Sequence, residues 1–419
     1  MTLEGYRGVL TSIACRGGLD RWGRDAVGEE DKLLLDRLLS FASRDWSALA
    51  VGSPLVLAGA WLSTRAGQFQ LIGLALAALG AGLTIGSFLQ MSRLAASRRR
   101  FPPPGKMVDI GGYRIHVLAE GEAGNLHPVV WFGGGHSAGA TMANLHRRLR
   151  HRTRSILIDR PGTGWSDTGP FPRSTPREAQ EIVAALAAAG ESGPFVFAGH
   201  SFGGLLAANI ARRRPDLIAR LVLLDATPLE TLVFGPKLGA LRQMRGDVLL
   251  TGLLRCIGVQ IDVGRLRAAA DPRHKEAMAL YQGELGEDLT RLRQVEISAG
   301  ASFATWSAFE DLHAPSIAER GWELSVYDGD LGDLPVWVVA PATAEEVKGE
   351  AEVAAATDEQ SRMLRFFATS RERYMATSSA ARRIATPAGS THQFVYETPD
   401  FVAKVIEEAI QPQPEERKA

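Results

Sequence analysis

A glycine-flanked serine follows a short apolar segment in the middle of the chain. Residues 195–204 read Phe-Val-Phe-Ala-Gly-His-Ser-Phe-Gly-Gly, so Ser201 stands in a Gly-x-Ser-x-Gly pattern. The apolar residues before it are typical of a buried strand, and the alanine- and leucine-rich residues after it are typical of a helix. A sharp strand-to-helix turn exposes a serine hydroxyl, while the two glycines let the strand and the helix pass closely. Ser201 is therefore the first candidate for a nucleophile.

A serine nucleophile needs a base, and the base needs a carboxylate to orient it. A neutral imidazole can accept the serine proton during attack, and a carboxylate on its other ring nitrogen fixes the tautomer. Of the nine histidines, His392 stands out because it lies in a Gly/Ser/Thr loop between a strand-like segment and the last helical segment. His200, next to Ser201, is expected to shape the turn, since its side chain should diverge from that of the serine.

Strand-like apolar segments recur along the chain and alternate with helical patterns. They are found at 129–132, 155–158, 221–224 and 335–339. Strands that alternate with helices predict a parallel sheet covered by helices on both faces. The first of these segments ends in a run of three glycines, 133–135, whose backbone N–H groups could face a reacting carbonyl.

Four motifs in this order resemble the α/β-hydrolase family, over about residues 107–411. They are the strand and glycine loop at 129–136, the Asp-x-x-Gly-x-Gly-x-Ser segment at 159–166, the turn at 199–204 and Gly-x-x-His at 389–392. The resemblance implies the α/β-hydrolase fold: a mostly parallel sheet with helices on both faces and a helical cap. In the family's order of nucleophile, acid and histidine, Ser201 and His392 take the first and last places.

The acid is the part of this triad that the sequence leaves open. Family members often carry it just after the strand that is here 335–339, but no aspartate stands at the expected turn directly after that strand. Asp225, directly after the segment 221–224, is the favoured acid, although an aspartate there is also frequent in relatives as a turn cap. Glu345 and Glu346 are the alternatives.

The resemblance also implies an oxyanion hole made of two backbone N–H groups. Phe202, which follows the nucleophile, supplies the first. The second is assigned to Gly134, with Gly133 as the neighbouring alternative; Phe132 stands where the family often has a histidine. Asp159 and the motif that it begins are expected to shape the floor of the site.

The composition narrows the possible partners. The chain carries 47 basic and 47 acidic side chains, and no stripe of Lys and Arg interleaves with aromatic residues, so no nucleic-acid partner is predicted. Cys15 and Cys256 lie far apart, which argues against a disulfide framework. No cluster of histidines and carboxylates has metal-ligand spacing, so neither a metal nor a cofactor is predicted.

Two uncharged segments precede the hydrolase-like region. Residues 47–63 and 66–92 contain no charged side chain, and the second is long enough to cross a hydrocarbon core of about 30 Å. They predict two transmembrane helices that form a hairpin. Basic residues follow directly, so the positive-inside rule predicts a cytoplasmic hydrolase domain. The alternative is a pair of buried helices that pack on the hydrolase.

These features divide the chain into seven parts. They are an amphipathic helical segment (1–46), the hairpin (47–92), a basic and proline-rich linker (93–106), the first part of the hydrolase core (107–226), a helical cap (227–330), the second part of the core (331–411) and a tail (412–419). Apolar side chains of the cap are candidates for an acyl pocket: Leu232, Phe234, Met244, Phe303, Trp306 and Phe309.

The sequence therefore predicts a membrane-anchored serine hydrolase that cleaves a lipophilic carboxylic ester, or a related acyl bond, through an acyl-enzyme on Ser201. Its predicted partners are a small lipophilic substrate and the lipid bilayer. Two alternatives stay open. A fold alone does not separate an esterase from an iminopeptidase-like or haloperoxidase-like enzyme, and a non-catalytic binding protein could share the same architecture.

Overall fold

A central eight-stranded sheet organises the chain. The computed structural model describes residues 29–227, 239–258, 272–313, 329–341 and 371–412. The strands are β1 Lys106–Asp109, β2 Arg114–Glu120, β3 Val129–Phe132, β4 Ser155–Ile158, β5 Phe195–His200, β6 Ile218–Leu224, β7 Val336–Ala340 and β8 Ala381–Ala385. Their spatial order is β1-β2-β4-β3-β5-β6-β7-β8. β2 pairs antiparallel with β1 and β4, and every other pair is parallel.

The helices cover both faces of this sheet. In chain order they are α1 Glu29–Ala42, α2 Ser47–Ser63, α3 Gln68–Arg100, α4 Ala143–Leu149, α5 Thr175–Ala189, α6 Phe202–Arg213, α7 Gly239–Cys256, α8 Pro272–Leu285, α9 Glu287–Val295, α10 Ala299–His313, α11 Phe394–Glu397 and α12 Pro399–Ala409. Helices α5 and α6 bury their apolar side chains on one face, and α4 and α12 on the other. The predicted α/β-hydrolase architecture is thus confirmed.

The central strands explain why this sheet is buried on both faces. Every residue of β3, β4 and β5 is buried, because these segments are apolar without alternation. β1 and β2 were not predicted. β1 is an edge strand and β2 lies next to it, between β1 and β4. Both mix charged and apolar residues, so they lack the continuous apolar pattern of the central strands.

Four helices of the described residues stand between β6 and β7, in the region predicted as a cap. α7, α8, α9 and α10 all lie in this interval. Two adjacent helical patterns in the sequence form the single helix α7. Helix α9 packs Leu292 and Val295 on Ala138 and Trp165, which belong to the loops after β3 and β4. The cap therefore rests directly on the loops at the carboxyl ends of the strands.

The two N-terminal apolar helices pack against each other through glycines. A Cβ at Gly59 would overlap the backbone of Ala77, and one at Gly73 would overlap the backbone of Ser63. Such close approach of two helices is typical of membrane proteins. Large apolar side chains on the outside of this pair, such as Leu57 and Leu71, are exposed.

One described helix is long and apolar enough to cross a membrane by itself, and this is α3. Residues 36–42 and α2 pass the same test only as a pair, and they are bent by 84° at the break between them. Helix α3 also continues to Arg100, eight residues beyond the predicted end of the hairpin at residue 92. Part of the predicted linker is therefore helical.

The second half of α3 contacts the cap through a polar seam. Gln90 donates from Nε2 to the carbonyl of Ile297 at 2.5 Å, and Arg93 donates to the carbonyl of Gly258 at 2.8 Å. Asp45, in the turn between α1 and α2, accepts from the backbone N–H of Ala299 at 2.8 Å, at the start of α10. The N-terminal helices and the cap therefore share one packed interface.

Candidate active site

Ser201 lies in a strained turn between β5 and α6. Its backbone has φ 52° and ψ −123°, in a region that side chains other than glycine rarely occupy. A Cβ at Gly199 would lie 2.5 Å from the carbonyl oxygen of Gly203, and one at Gly203 would overlap the carbonyl of Phe132. Glycine is thus required at both positions, as the motif predicts.

His392 and Asp225 meet at the same edge of the sheet. His392 follows β8 and Asp225 follows β6, and the parallel strands bring these carboxyl ends together. His392 Nδ1 lies 2.7 Å from Asp225 Oδ2. Asp225 itself is held at φ 47°, and its N–H donates to the carbonyl of Val339 at 2.8 Å. The favoured carboxylate thus reaches the predicted histidine.

The other oxygen of this carboxylate accepts from an arginine. Arg371 Nη2 lies 2.8 Å from Asp225 Oδ1, and Arg371 Nε lies 3.3 Å from the same oxygen. Burial alone would raise the pKa of Asp225, but the hydrogen bond from His392 and the charge of Arg371 hold it below its ordinary value. Asp225 is therefore ionised at neutral pH.

His200 supports the loop that carries His392. Its Nε2 donates to the backbone carbonyl of His392 at 2.8 Å, and the two rings lie 4.8 Å apart between centroids. Burial lowers the pKa of His200 to about 4, so the ring is neutral at physiological pH. The side chain therefore packs beneath the site, in keeping with the structural role expected from the sequence.

The Ser201 hydroxyl has a partner that the sequence did not indicate. Ser201 Oγ lies 3.2 Å from Thr227 Oγ1, and the N–H of Thr227 donates to the Ser201 carbonyl at 2.9 Å. Tyr374 donates its hydroxyl to the Thr227 carbonyl at 3.0 Å. The segment after Asp225 therefore lies across the turn and contacts the serine.

A buried arginine orients the glycine loop after β3. Arg160 donates to the carbonyl oxygens of Gly133, at 2.5 Å, and Gly135. A trans peptide directs its C=O and N–H to opposite sides, so the N–H of Gly134 points away from Arg160. A Cβ at Gly134 would lie 3.2 Å from the Ser201 Cβ. Gly134 thus lies against the serine. Arg160 escaped prediction because its role depends on the folded loop.

Asp159 acts as a connector of loops, as predicted for its motif. Its Oδ1 accepts from the N–H of Gly139 at 2.8 Å, and its Oδ2 accepts from the N–H of Trp165 at 3.0 Å. His116 Nδ1 lies 2.9 Å from the same Oδ2. A Cβ at Gly164 would overlap this carboxylate, which explains the glycine there.

His136 belongs to a buried polar cluster behind the glycine loop. Its Nε2 lies 2.9 Å from Glu178 Oε1, and its Nδ1 lies 3.4 Å from the Thr305 hydroxyl on cap helix α10. Burial would raise the pKa of Glu178, but His136 and the nearby Arg173 hold it well below its ordinary value. His136 therefore ties the loop to the cap.

Several predicted residues are not brought to this site by the described part of the chain. The alternative acids Glu345 and Glu346, and the pocket candidates Leu232 and Phe234, lie outside the described residues. Phe303 is buried in a cluster with residues of α1 and α2. Its position favours packing between the cap and the N-terminal helices, rather than a place in an acyl pocket.

Comparison with known proteins agrees with the architecture. A sequence profile of the Alpha/beta hydrolase family matches residues 125–405. A probable hydrolytic enzyme from Pseudomonas aeruginosa PAO1 shares the fold with a TM-score of 0.50 at 18% identity, over 74% of this chain and 95% of that one. The chain belongs to the α/β-hydrolase family.

The curated relatives match over short segments. Lipase LipV of Mycobacterium tuberculosis is 42% identical over 81 residues, which are 19% of this chain and 30% of the lipase. A pimeloyl-[acyl-carrier protein] methyl ester esterase of Xylella fastidiosa is 38% identical over 86 residues, 20% of this chain and 31% of the esterase. The chain thus matches less than a third of the length of either relative.

Proposed function

We propose that this protein is a membrane-anchored serine hydrolase that cleaves a lipophilic carboxylic ester, or a related acyl bond. The observation that carries the proposal is the 2.7 Å contact between His392 Nδ1 and Asp225 Oδ2, and the strained turn that holds Ser201 supports it. A histidine oriented by an ionised carboxylate can act as the base that activates a serine nucleophile.

The chemistry follows from the bonds of the histidine. Nδ1 carries its proton toward Asp225, so Nε2 is the nitrogen that accepts the Ser201 proton as Oγ attacks the ester carbonyl. The N–H groups of Phe202 and Gly134 stabilise the oxyanion. The protonated histidine then returns the proton to the departing alkoxide. A water molecule, activated in the same way, releases the acid from the acyl-serine.

The apolar N-terminal helices support the choice of a lipophilic substrate. The exposed face of α2 and α3 is large and apolar, and the same α3 contacts the cap above the strand ends. An enzyme anchored in this way draws its substrate from the bilayer or its surface. The hairpin would keep both its ends, and the hydrolase domain, on the cytoplasmic side.

Covalent labelling tests the nucleophile directly. We expect a fluorophosphonate to label the wild-type chain at Ser201. Ser201→Ala should lose the label and about 10⁴-fold or more in kcat towards an ester. Ser379→Ala, which removes an exposed serine before β8, is the matched control and should retain the label. Undiminished ester turnover by Ser201→Ala would contradict the proposal.

The acid of the triad is tested by a second measurement. Asp225→Asn keeps the shape of the side chain but offers His392 the wrong partner, so kcat should fall by about 10⁴-fold. A comparably large loss in Glu345→Gln or Glu346→Gln, with a mild effect of Asp225→Asn, would show that the acid is not Asp225.

The substrate class is tested separately. A panel of acyl esters and prolyl amides separates an esterase from an iminopeptidase-like enzyme.

A further inference from the structure

Arg371 lies between the carboxyl ends of β6 and β7. Its Nη1 donates to the carbonyl of Pro341 at 2.9 Å, directly after β7. Its Nη2 and Nε reach Oδ1 of Asp225 after β6. The guanidinium therefore bridges the ends of two neighbouring strands and binds the carboxylate oxygen that His392 does not use.

We propose that Arg371 is a positioning residue of the catalytic apparatus, which holds the Asp225 carboxylate in the plane and charge state that His392 requires. This inference rests on the proposed function, and it adds a fourth side chain to the triad. Arg371 does not contact the reacting atoms in this proposal, and it acts only through Asp225.

The geometry gives Arg371 two separate effects. A guanidinium that contacts Oδ1 of Asp225 through two nitrogens restricts rotation of the carboxylate while His392 contacts Oδ2. The pair is also largely buried, with 13% of the Arg371 side chain and 6% of the Asp225 side chain exposed. A positive charge at this depth favours the ionised form of the Asp225 carboxylate, which is the form that His392 needs as its partner.

The other groups around the carboxylate do not supply such a charge. His200 packs beside His392 and is neutral because burial lowers its pKa to about 4. Tyr374 lies on the same helical turn as Arg371, and burial raises the pKa of its hydroxyl, so it too is neutral. Among the described residues bonded to Asp225, the arginine is therefore the permanent cation.

The rate of fluorophosphonate labelling against pH tests this role, because it reports activation of Ser201 without knowledge of the natural substrate. We expect Arg371→Met to lower the maximal labelling rate about 10- to 100-fold, the scale of a lost hydrogen bond to a charged group. The acidic limb of the profile should move to higher pH, because loss of the cation raises the pKa of the Asp225 carboxylate on which His392 depends. Arg371→Lys keeps the charge, so it should retain the wild-type limb with a reduced rate.

Chemical rescue and a matched control complete the experiment. Guanidinium ion added at millimolar concentration to Arg371→Ala should restore part of the rate, while Arg214→Met, which breaks the exposed pair with Asp216, should match the wild type. If Arg371→Met is labelled at the same rate as the wild type at every pH, the inference is overturned. A slower rate with an unmoved acidic limb and no rescue would overturn it as well, since Arg371 would then only support the fold. A wild-type chain that is not labelled at Ser201 would instead refute the proposed function.

Discussion

At the scale of single residues, the site depends on buried groups kept in one charge state. His200 is the clearest case, because it is neutral, buried and bonded to the backbone of the histidine loop. Its pKa falls from an ordinary value of 6.5 to about 4. The unfolded chain therefore takes up a proton between these pH values, and the folded chain does not, so stability is lost as the pH falls through this window.

We predict that His200→Gln makes stability less dependent on pH. Glutamine can still donate to the His392 carbonyl, but it does not titrate. The wild-type chain should lose about 2 kcal/mol through His200 between pH 7 and pH 5, and the variant should not. The measurement is the midpoint of thermal unfolding in detergent at both pH values. An equal drop in the two proteins would show that His200 does not contribute.

At the scale of elements, the seam between α3 and the cap is the least expected feature. The backbone of α3 contacts the backbone of the cap at this seam. A Cβ at Gly86 would overlap the carbonyl of Ile257, and a Cβ at Gly258 would overlap the carbonyl of Gly86. Asp45 adds an acceptor for the first N–H of α10, the position at which a carboxylate stabilises a helix. The cap is therefore packed on an element that precedes the hydrolase core in the chain.

Two glycines of α3 provide a matched test of this seam. Gly86→Ala should separate α3 from α7 and lower the unfolding free energy by about 1–3 kcal/mol, the usual cost of overpacking. Gly82→Ala, one turn away, meets nothing within 4 Å and should be neutral or slightly stabilising. Limited proteolysis of the cap and the unfolding midpoint report the difference. Equal behaviour of the two variants would mean that the seam does not form.

At the scale of the whole molecule, the question is which surface meets the bilayer. The exposed leucines of α3, with Leu74 54% and Leu79 56% exposed, have no partner among the described residues that would cover them from water. We predict that the full chain stays with membranes after high salt and alkaline carbonate, because burial of apolar surface is not screened by ions. An arginine at the membrane centre raises the free energy of helix insertion by about 2.5–3.5 kcal/mol. A variant in which both leucines are replaced by arginine should therefore be extracted by the same treatment.

Leu250, 49% exposed on cap helix α7, supplies the control. Leu250→Arg should remain in the membrane fraction, since it changes a similarly exposed leucine outside the hairpin. A wild-type chain that enters the supernatant with salt alone would favour the alternative in which α2 and α3 are packing helices of a soluble protein.

The features that could be predicted from the sequence are those that have a local residue pattern. The turn around Ser201 and the strands from β3 to β7 have a continuous apolar or glycine-rich signature that does not depend on distant residues. The partners of Asp225 have no such signature. Arg371 is 146 positions away along the chain, and only the pairing of β6 with β7 brings it near. The contact of α3 with the cap could not be predicted for the same reason, because it joins residues that are distant in the sequence.

The length of α3 determines how the cap is placed relative to the proposed membrane hairpin. Thirty-three residues of uninterrupted helix extend about 50 Å, more than the hydrocarbon core of a bilayer, so the proposed membrane half and the cap-contacting half belong to one rigid rod. Gly80 packs on the backbone of Gly52 in α2, and Gly86 packs on the cap. Inserting a single residue between these two glycines would rotate the cap by about 100° around α3 and raise it by about 1.5 Å. The spacing of these two glycines, more than the identity of the residues between them, would then set the direction in which the mouth of the site faces the membrane.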